Sequence, residues 1–219
     1  MIKITSTIHQ LYPSTALGII EANVSIQKKN NELINKMEEF ATQFKSNNAI
    51  EAIAQIPAIN DTRSAYRAFG KEPARYRVSS EALLRRIVQG KGLYYINNVV
   101  DVNNLVSIES GHGICCFDRT KIEGDDILFT IADEGETYKG IGKGELNISK
   151  LPVFKDEKGS FGSPTSDSQR TMITDSTSKI LFIIVSFSGN RHLDHNCQKA
   201  KDYLQTYCNA EITNYYIVG

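Results

Sequence analysis

Apolar residues along the chain change period several times. From Ala16 to Ile26, "ALGIIEANVSI" is apolar and β-branched enough to predict a strand. In "NNELINKMEEFATQF", Leu33, Ile34, Met37, Phe40 and Phe44 recur at helical spacing, with Asn30 or Asn31 available as a cap. "NAIEAIAQI" predicts a second helix stopping at Pro57. "DTRSAYRAF", Asp61 to Phe69, predicts a short one capped by Asp61 and closed by Gly70. In "SSEALLRRIVQG", Ser79 or Ser80 is the expected cap, Leu83/Ile87 and Leu84/Val88 are i,i+4 apolar pairs, and Gly90 ends the helix. "INNVVDVNNLVS" reads both ways, because its valines favour a strand while Val99, Val102 and Val106 share a helical face.

Beyond Asp118 the texture is β. "DILFTIA" and "ETYKGIG" flank "DEG", a hairpin signal, and "LPVFKDEKGSF" is a second one. "ILFIIVSF" is apolar at successive positions, as in a strand covered on both faces. A helix from about Leu193 to Tyr207 and a strand "TNYYIV" follow. Without repeats, low-complexity tracts or linkers, residues 1–219 read as a single α+β domain with mixed sheet.

Composition narrows the function classes. Lys+Arg and Asp+Glu are 25 each, so a whole-protein basic field for nucleic acid is absent and such binding needs a local patch. The longest apolar run, Ile180 to Val185, is too short to span a bilayer, so no membrane role is expected. No signal peptide is recognised at the start, and the four cysteines form no evident disulfide framework; a reduced, cytoplasmic protein is the expectation.

One local patch exists. Arg63, Arg67, Lys71, Arg75, Arg77, Arg85, Arg86 and Lys91 stand against Asp61, Glu72 and Glu81, and Tyr66 and Tyr76 among them could stack on bases. The plainer reading is a solvated helix face with internal pairs such as Glu81 with Arg85. In "NRHLDHNC", His192, His195, Asp194 and Cys197 are metal-ligand types, but no second ligand pair has zinc-site spacing, and Asn190 or Asp194 would serve as a helix cap. No metal or cofactor is expected. The glycines of "GIGKG" open no helix and read as a bulge or a close backbone approach, not a phosphate loop.

Two stretches remain. The polar loop "GSPTSDSQRT", Gly162 to Thr171, could hold an amine, a carboxylate or a hydroxyl, or could bond its own backbone as Asx and ST turns do. "GHGICCFD", Gly111 to Asp118, offers His112 and Cys115 as metal ligands or Cys115 as a nucleophile; buried free cysteines are commonly small hydrophobes.

Read continuously, Glu81 to Thr137 resembles the B3/B4 domain of the β subunit of bacterial phenylalanyl-tRNA synthetase. The resemblance rests on Asn97 to Asn104, "NNVVDVNN", then Phe117–Asp118, Lys121 to Gly124 and Glu134 to Glu136, and extends weakly through the 162–171 loop. The upstream segment, from Arg63 to Arg86, looks like stand-alone members of that family. The resemblance implies layered mixed sheets with helices: a B3/B4-like core over 61–190, an N-terminal strand and helix part over 1–60, and a C-terminal helix and strand over 191–219.

In the synthetase this domain hydrolyses tyrosine wrongly attached to the phenylalanine tRNA, using a site that recognises the extra hydroxyl. Cys115 stands where that domain has a histidine and Cys116 where it has an alanine, while Gly162–Ser163–Pro164 stands where it has a glycine–glycine–glutamate loop. The resemblance therefore implies a pocket of similar shape with another lining: Asn103, Asn104, Cys115, Cys116, Ser163, Thr165, Asp167, Ser168 and Arg170, with Cys115 and Asp167 as candidate catalytic groups. Arg63, Tyr66, Arg67, Arg75, Arg77, Arg85 and Arg86 would hold the tRNA acceptor end. The implied function is tRNA binding, with hydrolysis of mischarged aminoacyl-tRNA in trans; no ligase core is expected. The alternative is a non-catalytic protein that binds an amino acid in the same pocket.

Overall fold

The computed structural model describes residues 1–219 and contains six helices and ten strands. In chain order these are β1 (Ile2–Ile4), α1 (Ser6–Leu11), β2 (Ala16–Asn23), α2 (Asn31–Asn47), α3 (Pro57–Ala68), α4 (Ser79–Val88), α5 (Asn98–Ser110), β3 (Gly113–Asp118) and β4 (Ile127–Ile131). The remainder are β5 (Thr137–Gly140), β6 (Gly144–Asn147), β7 (Pro152–Asp156), β8 (Gly159–Gly162), β9 (Lys179–Ser186), α6 (Leu193–Cys208) and β10 (Glu211–Val218). One sheet runs β10-β2-β9-β3 and is antiparallel throughout; the other runs β1-β4-β7-β8, with β1 parallel to β4, and β5 and β6 form a separate hairpin.

Alternation along the first sheet builds two cores. Ile20, Ile114, Cys116, Phe182 and Ile184 face a helical layer that includes Leu33 and Met37 of α2, Leu84 of α4, Val102 of α5 and Leu204 of α6. Leu17, Ile19, Cys115, Phe117, Leu181 and Ile183 face the second sheet, meeting Phe129, Phe154 and Phe161. Three layers result, and β9 is apolar at successive positions because it is the middle one. The fold is α+β.

The "NNVVDVNN" stretch is a helix. Asn97 Oδ1 accepts the Val100 N–H as its cap, and Gly111, at φ 75°, ends it in the left-handed conformation favoured by glycine. Asn98 ties three segments together, donating to the Ser25 and Tyr207 carbonyls and accepting from the Gln27 N–H. Asp101 accepts the Ile96 N–H, and burial pushes its carboxyl up to about 6.

Several expectations are corrected. Pro57 does not end a helix; it opens α3, where its missing N–H costs nothing, and the segment before it holds only a short 3-10 turn at Ala52–Gln55. Asp61 therefore lies inside α3. Val78 precedes α4 without a side-chain cap; Ser80 instead donates to the Gly111 carbonyl. "DEG" is a turn but not a hairpin, since β4 pairs with β1 and β7; the hairpin is β5–β6, turning through "GIGKG". The second predicted hairpin is present as β7–β8.

Candidate functional site

The 162–171 loop leaves β8 and passes the open edge of β3. Gly162 is required there, because a Cβ would collide with the Phe117 ring and approach Asp167 Oδ1 at 2.9 Å. Gly113 is close-packed too, with Pro164 and Val78 within 2.8 Å of where its Cβ would be. The Ser79 N–H donates to the Pro164 carbonyl at 2.9 Å, which fastens the loop to the start of α4. Ser163 Oγ accepts the Ser166 N–H and donates to the Ser166 carbonyl, the self-bonding turn that such a sequence allows.

Over this loop lies a cavity of about 310 Å³, lined by Arg75, Tyr76, Tyr138, Lys143, Ser163, Thr165 and Ser166 and by apolar side chains of the β6–β7 segment. Thr165 Oγ1 and the Tyr66 hydroxyl are 2.8 Å apart, and the Tyr138 hydroxyl bonds to Ser163 Oγ and the Ser166 carbonyl. Lys71 sits 4.1 Å from the Tyr76 ring centroid, with the Arg75 guanidinium at 5.6 Å. The lining is hydroxyl-rich and carries two cations, Arg75 and Lys143, with one carboxylate, Glu145.

Cys115 and Asp167 lie together beneath it. Burial pushes the Cys115 thiol well up, and the adjacent Asp167 carboxyl adds to the shift. Burial likewise raises Asp167 to about 8, although the Ser163 and Cys116 N–H groups and the Cys115 thiol are nearby; its Oδ1 has no partner in hydrogen-bond geometry. At neutral pH both groups are protonated, so neither is a ready nucleophile or base.

Of the residues expected at one pocket, Ser163 and Thr165 line the cavity, while Cys115 and Asp167 adjoin each other and are not among its lining residues. The structure separates Cys116, which the two-residue period turns to the helical core. Asn103 and Asn104 belong to α5 in the helical layer and do not line the cavity. Ser168 caps a short turn by accepting the Arg170 N–H, and Arg170 grips Asp156 with both guanidinium nitrogens at 2.9 and 2.8 Å. Arg170 is thus a structural clamp.

The expected tRNA face also contracts. Glu81 is fully buried and gathers Arg63 at 3.0 Å, Arg85 at 2.9 Å and Arg77 at 3.9 Å. Tyr66 is buried in the core and offers no stacking face. Arg86 bonds the Lys91 and Gly92 carbonyls and covers Tyr94. Arg67 and Arg75 remain exposed and unpaired. Sequence reasoning missed Tyr138 and Lys143 as cavity residues; the "GIGKG" turn that presents Lys143 was the available signal.

Several known proteins are similar to this chain. Residues 61–206, two thirds of the chain, match the B3/4 domain model. The phenylalanine–tRNA ligase β subunit of Protochlamydia amoebophila is 35% identical over 77 residues, covering 34% of this chain and 10% of that protein. The β subunit of Geobacter metallireducens is 35% identical over 104 residues, covering 47% of this chain and 13% of that one. The chain thus spans about a tenth of the length of these relatives. An N-terminal fragment of the phenylalanyl-tRNA synthetase β subunit from Pyrococcus horikoshii aligns over 100% of this chain and 54% of its own, at 13% identity and a TM-score of 0.48. On the match over residues 61–206, this chain belongs to the B3/4 domain family.

Proposed function

We propose that this chain is a tRNA-associated module that takes an aminoacylated tRNA 3′ end into the cavity over Cys115 and hydrolyses mischarged esters in trans. One observation carries the reading: in a chain that belongs to the B3/4 domain family, the hydroxyl-lined cavity is built on the loop beside Cys115, and Arg75 and Lys143 are among its lining residues. Two cations suit the terminal phosphates, and the hydroxyls of Tyr138, Ser163 and Thr165 suit an ester and a water.

The protonated state of Cys115 and Asp167 favours a positioned water over a covalent intermediate. The water oxygen adds to the ester carbonyl carbon, the bond to the ribose oxygen breaks, and that oxygen leaves with a proton from the water. An aminoacyl ester is activated enough for positioning and a few hydrogen bonds to accelerate this step.

The test is deacylation of a panel of mischarged aminoacyl-tRNAs, with tRNA binding followed at low salt. Wild type is expected to accelerate loss of at least one amino acid, and Arg75→Ala with Lys143→Ala to weaken binding. Neither acceleration nor binding with any tRNA would overturn the reading.

Binding of a free amino acid is the second reading. The convergence of Arg63, Arg77 and Arg85 on Glu81 favours it, because it leaves a smaller cationic surface for RNA. A thermal shift with one amino acid, insensitive to competing tRNA, would support it.

A further inference from the structure

A second cleft, of about 750 Å³, opens where β9 ends and β3 begins, between the start of α3 and the start of α6. It shares no lining residue with the cavity above. Three of the four histidines of the chain line it: His112, His192 and His195.

His112 is only 5% exposed, yet its Nδ1 has no hydrogen-bond partner. Burial lowers it to about 4, so the ring is neutral at physiological pH, although the Val185 backbone carbonyl and the Asp61 carboxylate act in the opposite direction. A buried imidazole nitrogen left unpaired costs free energy that a ligand atom would recover.

The rest of the cleft lining combines donors with carboxylate acceptors. Arg191, His192 and His195, at the start of α6, supply the donors. That helix has no side-chain cap, and the N–H groups of Asp194 and His195 have no backbone acceptor. Free helix amides beside the Arg191 guanidinium favour an anion. Two acceptors share the lining: Asp61, bonded to the Ser188 hydroxyl, and Glu109, bonded to Tyr203 and Lys199 of α6. Tyr12 and Phe187, edge to face at 5.7 Å, supply an aromatic wall. The volume is within the usual range for small-molecule sites, roughly 300–1,000 Å³.

We propose that this cleft binds a small molecule carrying an oxyanion, either a carboxylate or a phosphate monoester, together with an amine or hydroxyl donor. The oxyanion sits at Arg191 and the start of α6, and the donor group faces His112 and Asp61. This site is independent of the cavity over Cys115.

The histidine ring resonances test it, since His9, outside the cleft, is an internal control. The full chain is titrated with inorganic phosphate, adenosine monophosphate and phenylalanine. Saturable shifts of His192 and His195 are expected with at least one oxyanion probe, extending to His112 where that probe also bears a donor. Saturation by the nucleotide alone identifies the phosphate class, and saturation by phenylalanine alone the carboxylate class. Arg191→Gln, an exposed change that leaves the fold intact, should weaken binding roughly tenfold, as expected for one charge-assisted contact. No saturable shift with any probe, or equal movement of His9, would overturn the proposal, as would an unchanged affinity in Arg191→Gln.

Discussion

Arg63 Nη1 lies 3.0 Å and 3.1 Å from the two carboxylate oxygens of the fully buried Glu81, joining α3 to α4 beneath what the sequence presents as a basic surface. Arg85 Nε donates to the same carboxylate, so one buried acid organises two of the arginines in direct contact with it. Much of the apparent nucleic-acid patch is therefore a fastening between helices.

Glu81→Gln should consequently destabilise the fold without touching the cavity. It leaves the guanidiniums of Arg63 and Arg85 without a counter-charge, and removing one partner of a buried pair costs about 3–5 kcal/mol. Both arginines keep some solvent access, so a loss near the low end is expected. Denaturant unfolding at constant slope measures it; an unchanged midpoint would show that the network contributes nothing.

Asp167→Asn should change how stability depends on pH. The native carboxyl is raised to about 8, whereas an unfolded aspartate titrates near 3.9. Between those values the native state holds a proton that the unfolded state has released, so wild-type stability falls as pH rises, by at most about 1.4 kcal/mol per pH unit. The asparagine variant lacks that slope and should gain on wild type from pH 5 to pH 8. Parallel stability curves for the two proteins would refute a buried, protonated Asp167.

Asp156 has the opposite sign. Arg170 and the N–H groups of Glu123 and Lys158 hold its carboxyl below the usual range despite its burial. Its contribution is present above the unfolded value of about 3.9 and is lost as pH falls through the depressed native value. Arg170→Lys, which cannot reproduce the bidentate grip, should destabilise at neutral pH and should shrink that acid-side loss. Melting temperatures between pH 2 and 7, on the order of that window, provide the check.

All four cysteines are free and buried, and burial raises each thiol. A thiol reagent should label none of them rapidly in the folded protein and all of them in denaturant. Fast native labelling at Cys115 would reopen the nucleophile reading.

Gly162→Ala should destabilise by about 1–3 kcal/mol, the usual cost of forcing an extra carbon into a packed core. The cause is contact with Phe117 and Asp167 and not backbone conformation, since Gly162 is not in the left-handed region. Calorimetry would show the loss, and a neutral result would mean that the loop can shift away from β3.

The elements legible beforehand are those whose period is unambiguous. β2, α2, β9 and α6 were all expected, because their apolar positions recur cleanly and their ends carry a cap or a break. Pro57 misled because proline both ends and opens helices, and only the packed structure shows which. The "DEG" hairpin failed because a turn signal says that the chain reverses, not which strands then pair. β1 and α1 are too short to display a period at all.

Sequence alone determined the α+β class, the doubly covered β9 and the resemblance carried by "NNVVDVNN" and "CFD", because these depend on local spacing and residue order. Tertiary structure decided what those residues do. Asn97, Asn98 and Asp101 proved to hold backbone groups, Arg63 and Arg85 to surround Glu81, and Cys115 and Cys116 to face opposite cores. The physical reason is partner choice. A polar or charged side chain carries the same chemistry wherever it sits, and burial next to a particular long-range neighbour determines whether that chemistry fastens the fold or faces a ligand.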